Sequence, residues 1–459
     1  MSVTVDSPVA QIAAWGAERP PLPEPVYHAA QRALIDTLGV SLAGSLESAP
    51  RALASAALRY ATEGPSTVLT TEKRCGPGHA ALVNGTAAHA LDYDDVSGAY
   101  DGHPSACVFP AAFAAAEATA ASGDTLLYAF AFGLEVTTAL GAALGEENYR
   151  RGFHTTSIVG GVGAAVAAGV LYGLDQVSLR RAIGIAASYA GGLKKNFGTM
   201  TKPLHAGLAA RAGVEAVELA AAGFTADEDV LSGPIGMLAA FGDSGSRLPL
   251  PRSTEPEEWL ILRPGISIKK YPCCYMLAWA LDAALDLKST GLEPEEIENV
   301  EVTVQPGGLS ALIHDRPRSG LESKFSLPYA IAAALVDGEV KLVTFTDEAV
   351  NRPLVRSLME KVRYEQASDP EPEAAKGFSI VERGYARVRV LMRSGEQREK
   401  FVRTPRGAPS RPLTQHEINA KFLDTAGAAL GRDVALDLLN RLWSLNEVQD
   451  VGEVLRDVV

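Results

Sequence analysis

The chain has 459 residues, and its 42 Lys and Arg stand against 55 Asp and Glu, a formal charge of −13 at pH 7. A composition of 47% hydrophobic and 21% charged residues excludes wholesale disorder and suits roughly two to four domains with a large apolar core. The acidic balance excludes a broad nucleic-acid-binding face, which needs clustered cations. It leaves a small anionic substrate open, because a few local cations in a pocket outweigh the global field.

The first residues, MSVTVDSPVAQIAAWGAERPPLPEP, lack the basic start and continuous apolar run of a secretory signal. Next, Ala30, Leu34, Ile35, Leu38 and Leu42 recur at spacings of one, three and four, which predicts a helix that Gly44 stops. Ala-rich segments continue the pattern in PAAFAAAEATAASG, LLYAFAFGLEVTTALGAAL and AARAGVEAVELAAAGFTA. Ala is the best helix former, and small side chains let helices approach closely. The uncharged run Ile158–Leu174 only reaches the lower limit of a bilayer span, about 17 residues. Its Gly and Ala content predicts a buried helix in close contact with its neighbours, with no membrane partner.

Between about 265 and 405 the texture changes. NVEVTVQPGG (299–308), KVRYE (361–365) and YARVRVLMRSGEQREKFVRTP (385–405) alternate with period two, the last broken by an Arg-Ser-Gly-Glu turn. Helical segments fall between them at Met276 to Leu287, at Leu327 to Leu335, and from the capping residues Thr346 and Asp347. From Thr414 to Val459 the pattern is helical again. The expected fold is therefore mainly α. A large all-α domain spans 1–264 and 410–459 discontinuously, and a smaller α+β domain spans 265–409.

Several motifs fail. In GGVGAAVAAG, Val166 stands where a dinucleotide fingerprint needs Gly or Ala, and there is no GxxxxGK[ST], HExxH or GxSxG. Of the four cysteines, Cys273 and Cys274 are adjacent, and none makes a CxxC or a zinc frame with other ligands. A reduced, cytoplasmic protein without a resident metal is expected.

The densest polar cluster is His89-Ala-Leu-Asp92-Tyr-Asp94-Asp95, followed by Asp101-Gly-His103-Pro-Ser105. Carboxylates this close repel, so some should hold their protons unless cations or donors compensate. A solvated acidic loop with helix caps is one reading, and a Mg²⁺ and diphosphate site is another, although no second metal motif completes it. Further polar residues stand out in Ala/Gly-rich surroundings. They are His154 in RGFHTTSIVGG, then Thr199, Thr201, Lys202 and His205 at the mouth of a helix, Lys269 at a strand end, and Tyr329. Each alone also fits a satisfied core or surface group.

Taken in order, HALDYDDVSGAYDGHPS, GFHTTSIVGGVGAAVAAGVLYGL, GTMTKPLHAGLAARAGVEAVELAAAGFTA, KKYPCC and KFSLPYAIAAALVDG resemble the MmgE/PrpD family. That family contains 2-methylcitrate dehydratases, cis-aconitate decarboxylases and iminodisuccinate epimerases. The resemblance runs from about residue 10 to 450. It implies a homodimer, a cleft between the two domains, and cofactor-independent chemistry on a small carboxylic acid. The family's pocket residues match at Asp92, His103, His154, Lys202, Lys269 and Tyr329. Proton transfer next to a carboxylate needs a base, an acid and cations, and this set supplies them. Lys202 and Lys269 would clamp carboxylates, with His205, Thr199 and Thr201 as further substrate-binding candidates. His103 or His154 would act as base and acid, Tyr329 would donate a proton, and Asp92 would orient a histidine.

The expected function is thus a dehydratase or decarboxylase. An epimerase or isomerase using the same residues is the alternative, and an inactive binding or assembly protein a third reading. Departures bear on the substrate. Val96 stands where many relatives carry Thr, and Tyr275 and Leu277-Ala278 stand where many carry Arg and Thr-His. Losing a guanidinium and an imidazole predicts a substrate with fewer carboxylates than a citrate-type acid, or with a more apolar arm.

Overall fold

The structure, a computed structural model, describes residues 7–69, 71, 73–242, 247–251, 255–369 and 382–455. Residues 1–6 and 456–459, assigned above to the helical domain, lie outside the described residues. The chain forms two compact units. One comprises Met1–Asn196, Met200–Ile266 and Thr414–Val459, and the other Phe197–Thr199 and Ser267–Leu413.

The first unit is helical. Its helices in chain order are α1 (Pro8–Glu18), α2 (Glu24–Gly44), α3 (Ser48–Ala57), α4 (Pro77–Ala90), α5 (Ser105–Ala118) and α6 (Gly123–Leu144), then α7 (Glu147–Arg150), α8 (Thr155–Leu171), α9 (Gln176–Ala187), α10 (Thr201–Ala221) and α11 (Met237–Phe241). Two-residue strands β1 (Ser66–Thr67), β2 (Arg74–Cys75) and β3 (Val96–Ser97) punctuate it. Every residue of α8 is buried, and α5, α6 and α10 pack around it. Among the described residues, one helix is long and apolar enough to cross a membrane, α6, and 89% of its most apolar window is buried inside the protein. Packing against α8 explains its composition without a bilayer.

Close helix approach decides where the polar groups meet. A Cβ on Gly85 of α4 would sit 2.9 Å from Gly207 Cα on α10, so only a pair of glycines permits this crossing. Gly44 does end α2, but for a different reason from a left-handed stop. Ser45 caps in αR geometry, while a Cβ on Gly44 would strike the Ala87 carbonyl of α4. The position is thus set by packing rather than by backbone handedness.

Strand β4 (Ile266–Ser267) has its first residue in the first unit and its second in the other, and in the second unit α12 (Ala278–Lys288) and β5 (Ile297–Val304) precede the short α13 (Gly320–Ser323). Then come α14 (Leu327–Asp337), α15 (Asp347–Val350), α16 (Pro353–Met359), β6 (Val362–Gln366), β7 (Ala386–Met392) and β8 (Gln397–Val402). The sheet order is β6-β5-β7-β8, with β5–β6 parallel and the other pairs antiparallel. Val388 and Val390 turn inward toward α12, whereas Arg387 and Arg389 face out and pair with Glu399. Back in the first unit, α17 (Gln415–Leu430) opens on a Thr414–Glu417 capping box and packs on α2, followed by α18 (Arg432–Trp443). The protein is thus mainly α, a helical domain with a smaller α+β domain.

Candidate active site

Four segments of the first unit bring polar side chains together. Helix α4 ends at Ala90, and the turn after it swings Asp92 into the left-handed region at φ 51. Asp tolerates that conformation better than most residues, and strain of this kind gathers at functional sites. His103 precedes Pro104, outside the start of α5, and its backbone N–H donates to Thr156 Oγ1 of α8 at 3.0 Å. His154 is the N-cap residue of α8, with its N–H donating to Gly192 O at 3.0 Å. Lys202 lies in the first turn of α10 and His205 at the start of the second, where the Gly85–Gly207 contact brings that helix onto α4.

The groups touch. Lys202 Nζ lies 3.0 Å from Asp92 Oδ1, and the same oxygen is 3.7 Å from His103 Nε2. His103 Nδ1 is 3.1 Å from Asp94 Oδ2, which also accepts from His89 Nδ1 at 2.8 Å. The His89 ring meets His103 edge-on, centroids 4.5 Å apart, and stacks on His154 at 5.6 Å. His154 Nδ1 and His205 Nδ1 face each other at 3.1 Å, so one donates to the other.

Burial sorts the charges. It pulls His89 down to about 3, against the opposing pull of Asp94, so this ring is neutral near pH 7. His154 is pushed well below the imidazole range by burial and by the neighbouring His89 and Lys202. Burial also lowers His205, helped by Lys202. For Asp94 burial favours the acid form, but His89 and His103 outweigh it and hold the carboxyl well below its usual range. Asp95 goes the other way: burial raises it to about 8, opposed by the Ser105 hydroxyl and reinforced by Asp36 and Asp94. The expected repulsion among these carboxylates is therefore resolved by splitting them, with Asp94 ionised and Asp95 protonated at neutral pH.

Lys202 places a positive charge beside Asp92, while His89, His154 and His205 are driven toward neutrality. His103, whose side chain is 13% exposed, is the imidazole of the cluster that lies beside both Asp92 and Asp94. His89, Asp92, Asp94 and His103 offer ligand atoms within 4.8 Å of one another, the donor set of a divalent-metal site. The Lys202 ammonium beside Asp92 already provides a cation there, which disfavours a second one.

Not all the expected residues fall in this group. Thr201 is the first residue of α10, whereas Thr199, exposed, groups with the second unit. Lys269 and Tyr329 also belong to the second unit, and both are buried there. The Tyr329 hydroxyl donates to the Thr344 carbonyl, and burial raises it to about 12. Tyr275, Leu277 and Ala278 are packed inside the same unit, Tyr275 edge-on to Trp279 at 5.1 Å. All four cysteines are buried, and among the described residues none forms a disulfide. His89 and Asp94, noted in the sequence only as part of a polar cluster, prove central to the site. Their spacing, five residues across a helix end, is a signal only once α4 is known to stop at Ala90.

Comparison with known proteins agrees with this architecture. The MmgE/PrpD N-terminal domain matches residues 10–247 and the MmgE/PrpD C-terminal domain matches residues 271–445. The chain belongs to the MmgE/PrpD family. Among its MmgE/PrpD relatives, the cis-aconitate decarboxylase of Homo sapiens is 31% identical over 448 residues, covering 94% of this chain and 89% of that protein. The enzyme of that name from Mus musculus is 30% identical over 95% of this chain and 89% of its own length. The Aspergillus terreus cis-aconitate decarboxylase is 26% identical over 95% and 92%. These likenesses support a lyase acting on a small carboxylic acid.

Proposed function

We propose that this protein is a cofactor-independent decarboxylase of a small unsaturated polycarboxylic acid of the cis-aconitate class. The observation that carries the reading is the placement of His103, beside two carboxylates and partly exposed, in a cluster whose other three imidazoles are driven toward neutrality. In such an acid a carboxylate sits on a carbon next to a double bond. Its C–C bond breaks, CO₂ leaves, and the electron pair moves into an allylic system conjugated with a remaining carboxylate. His103 Nε2–H then delivers one proton to the far carbon of that system. Lys202 stabilises the negative charge that develops on the conjugated carboxylate, and Asp92 holds Lys202 in place.

His154 and His205 form a neutral hydrogen-bonded pair that shapes the wall of the site, and Thr201 is a further carboxylate partner. The hydroxyl of Tyr329 already serves a backbone carbonyl, so the proton-donor role goes to His103. The protein acts as a soluble, cytoplasmic homodimer. Replacement of a guanidinium and an imidazole by Tyr275, Leu277 and Ala278 shifts preference toward acids with fewer carboxylates or a more apolar arm.

A panel of acids tests this reading. Stoichiometric CO₂ release from cis-aconitate or a smaller unsaturated acid, lost in His103→Ala and Lys202→Ala, is expected. Solvent-deuterium exchange without CO₂ would favour the epimerase reading. Turnover of 2-methylcitrate or cis-aconitate as fast as any smaller or more apolar acid would overturn the narrowed preference.

A further inference from the structure

We infer that Glu135 is a positioning residue for the site: from α6 it holds the turn 260–265, and through that turn the loop 92–103 that carries Asp92 and His103. The effect expected on rate rests on the reading of His103 as the proton donor, whereas the tether itself does not. Glu135 is 0% exposed. Its Oε1 accepts the Leu260 N–H and its Oε2 the Ile261 N–H, each at 2.9 Å. Among the described residues no Lys or Arg pairs with it. A buried acid without a cation costs stability that a Leu or Met would not, so the two bonds it makes explain its presence.

Those two N–H groups open the turn, where backbone donors lack carbonyl partners of their own, as at the start of a helix. Glu135 supplies both acceptors from another element. The rest of the turn closes on itself. Leu262 and Arg263 N–H donate to Trp259 O at 3.0 Å each, and Gly265 N–H donates to Leu260 O at 3.1 Å. Fixing its head therefore fixes its far end.

That far end meets the loop. Gly265 O accepts the Gly98 N–H at 2.8 Å, and a Cβ on Gly98 would lie 3.1 Å from Pro264 Cβ. The next residue, Ile266, enters β4, the partner strand of β3. Gly98 stands between the two carboxylates and His103 in the chain. Within the loop the Ser97 N–H donates to Gly102 O at 3.0 Å, so a hold on 97–98 reaches the residue before His103. Helix α6 also touches the loop directly, because a Cβ on Gly141 would strike the Tyr100 ring. Gly141 lies about 9 Å along the helix from Glu135. One helix thus supports the loop at two points. Lys202 is outside this arrangement, on α10, so a shifted loop misplaces Asp92 and His103 against it. A displacement of about 1 Å can cost on the order of 10²-fold in rate.

The test uses Glu135→Gln, which keeps the size of the side chain but sets an amide NH₂ against one of the two backbone donors. Amide hydrogen exchange without substrate should run at least about 10-fold faster at Gly98, with α8 unchanged. With cis-aconitate, kcat should fall about 10-fold or more while KM stays within a few-fold, because Lys202 lies outside the loop. Gly98→Ala presses the loop away from Pro264 from the other side. It should quicken exchange at position 98 and lower kcat alike, and it serves as the readout if Glu135→Gln fails to fold. Both substitutions release the same loop, so the double variant should be no slower than the slower single. Unaltered exchange at Gly98, equal quickening in α8, a loosened Gly98 with kcat unchanged, or rate losses that multiply in the double variant would each overturn the inference. Exchange needs no turnover. A loosened Gly98 in a protein whose parent releases no CO₂ from any acid would therefore support the tether and overturn the decarboxylase reading.

Discussion

Lys421 holds the site turn from behind, and removing its charge should cost both stability and rate. Its ammonium, on α17, lies 2.7 Å from Asp36 Oδ1 on α2 and donates to the Tyr93 carbonyl at 2.9 Å, with the Tyr93 ring centroid 3.8 Å away. Both charged side chains are buried, at 4% and 1% exposure. Tyr93 stands between Asp92 and Asp94, so one buried cation secures the peptide that carries both carboxylates. At 2.7 Å and an effective dielectric of about 20, the gross attraction is about 6 kcal/mol, much of it offset by desolvation. Lys421→Met keeps the apolar stem and strands the Asp36 carboxylate in the interior, a change that typically costs about 3–5 kcal/mol. The melting temperature should drop by about 3–5 °C. Urea unfolding followed by circular dichroism gives the loss, and a cycle with Asp36→Asn isolates the pair. The double variant should be more stable than the sum of the singles predicts, by about 1–3 kcal/mol. A loss below about 1 kcal/mol, or singles that add within about 0.5 kcal/mol, would show that Lys421 and Asp36 are not coupled in this way.

Three further outcomes are expected. Gly85→Ala should force α4 and α10 apart, because its Cβ would lie 2.9 Å from Gly207 Cα; a loss of about 1–3 kcal/mol by thermal melting and a lower kcat follow, and an unchanged rate would separate this contact from the site. Glu135, which accepts the N–H groups of Leu260 and Ile261 at 2.9 Å each, is raised by burial to about 7, partly offset by those two bonds. Its folded form keeps a proton that the unfolded chain releases near 4.5, so its contribution to stability is complete below that pH and is lost as pH rises to about 7. Glu135→Gln should flatten the fall of stability across that window, by about 3 kcal/mol at most, and an unaltered slope in urea titrations would contradict the assignment. Dialysis against a chelator should leave turnover intact, because Lys202 provides the cation beside Asp92; activity lost and then restored by a divalent ion would instead assign His89, Asp92, Asp94 and His103 as its ligands.

Much of the fold was legible because local chemistry and tertiary packing agree. Small residues in the first half build helices that bury nearly every face, as in α8, and period-two alternation in 385–405 became β7 and β8 around the expected turn. Thr414 and Thr346 cap the helices that open beside them. The site was legible in part. Asp92, His103, His154, Lys202 and His205 converge within one unit, but which carboxylate serves His103 depends on the 3.1 and 3.7 Å distances to Asp94 and Asp92. Those distances follow from where α4 ends and from the left-handed turn at Asp92, which no local pattern specifies. Lys421 stayed hidden for a related reason: it meets Tyr93 from 328 positions away, through the packing of α17 on α2. In the second unit, the hydroxyl of Tyr329 was spoken for by a carbonyl 15 residues along the chain.

Cleavage of a carbon–carbon bond with proton delivery from His103 is the step proposed for this chain. Incubation of the purified protein with cis-aconitate and smaller unsaturated acids in D₂O, with CO₂ measured in the headspace and product by NMR, tests it most directly. One CO₂ per substrate consumed, one deuterium on the carbon next to the retained carboxylate, and loss of both signals in His103→Ala are expected. Deuterium incorporation or water elimination without CO₂, or full activity in His103→Ala, would contradict it.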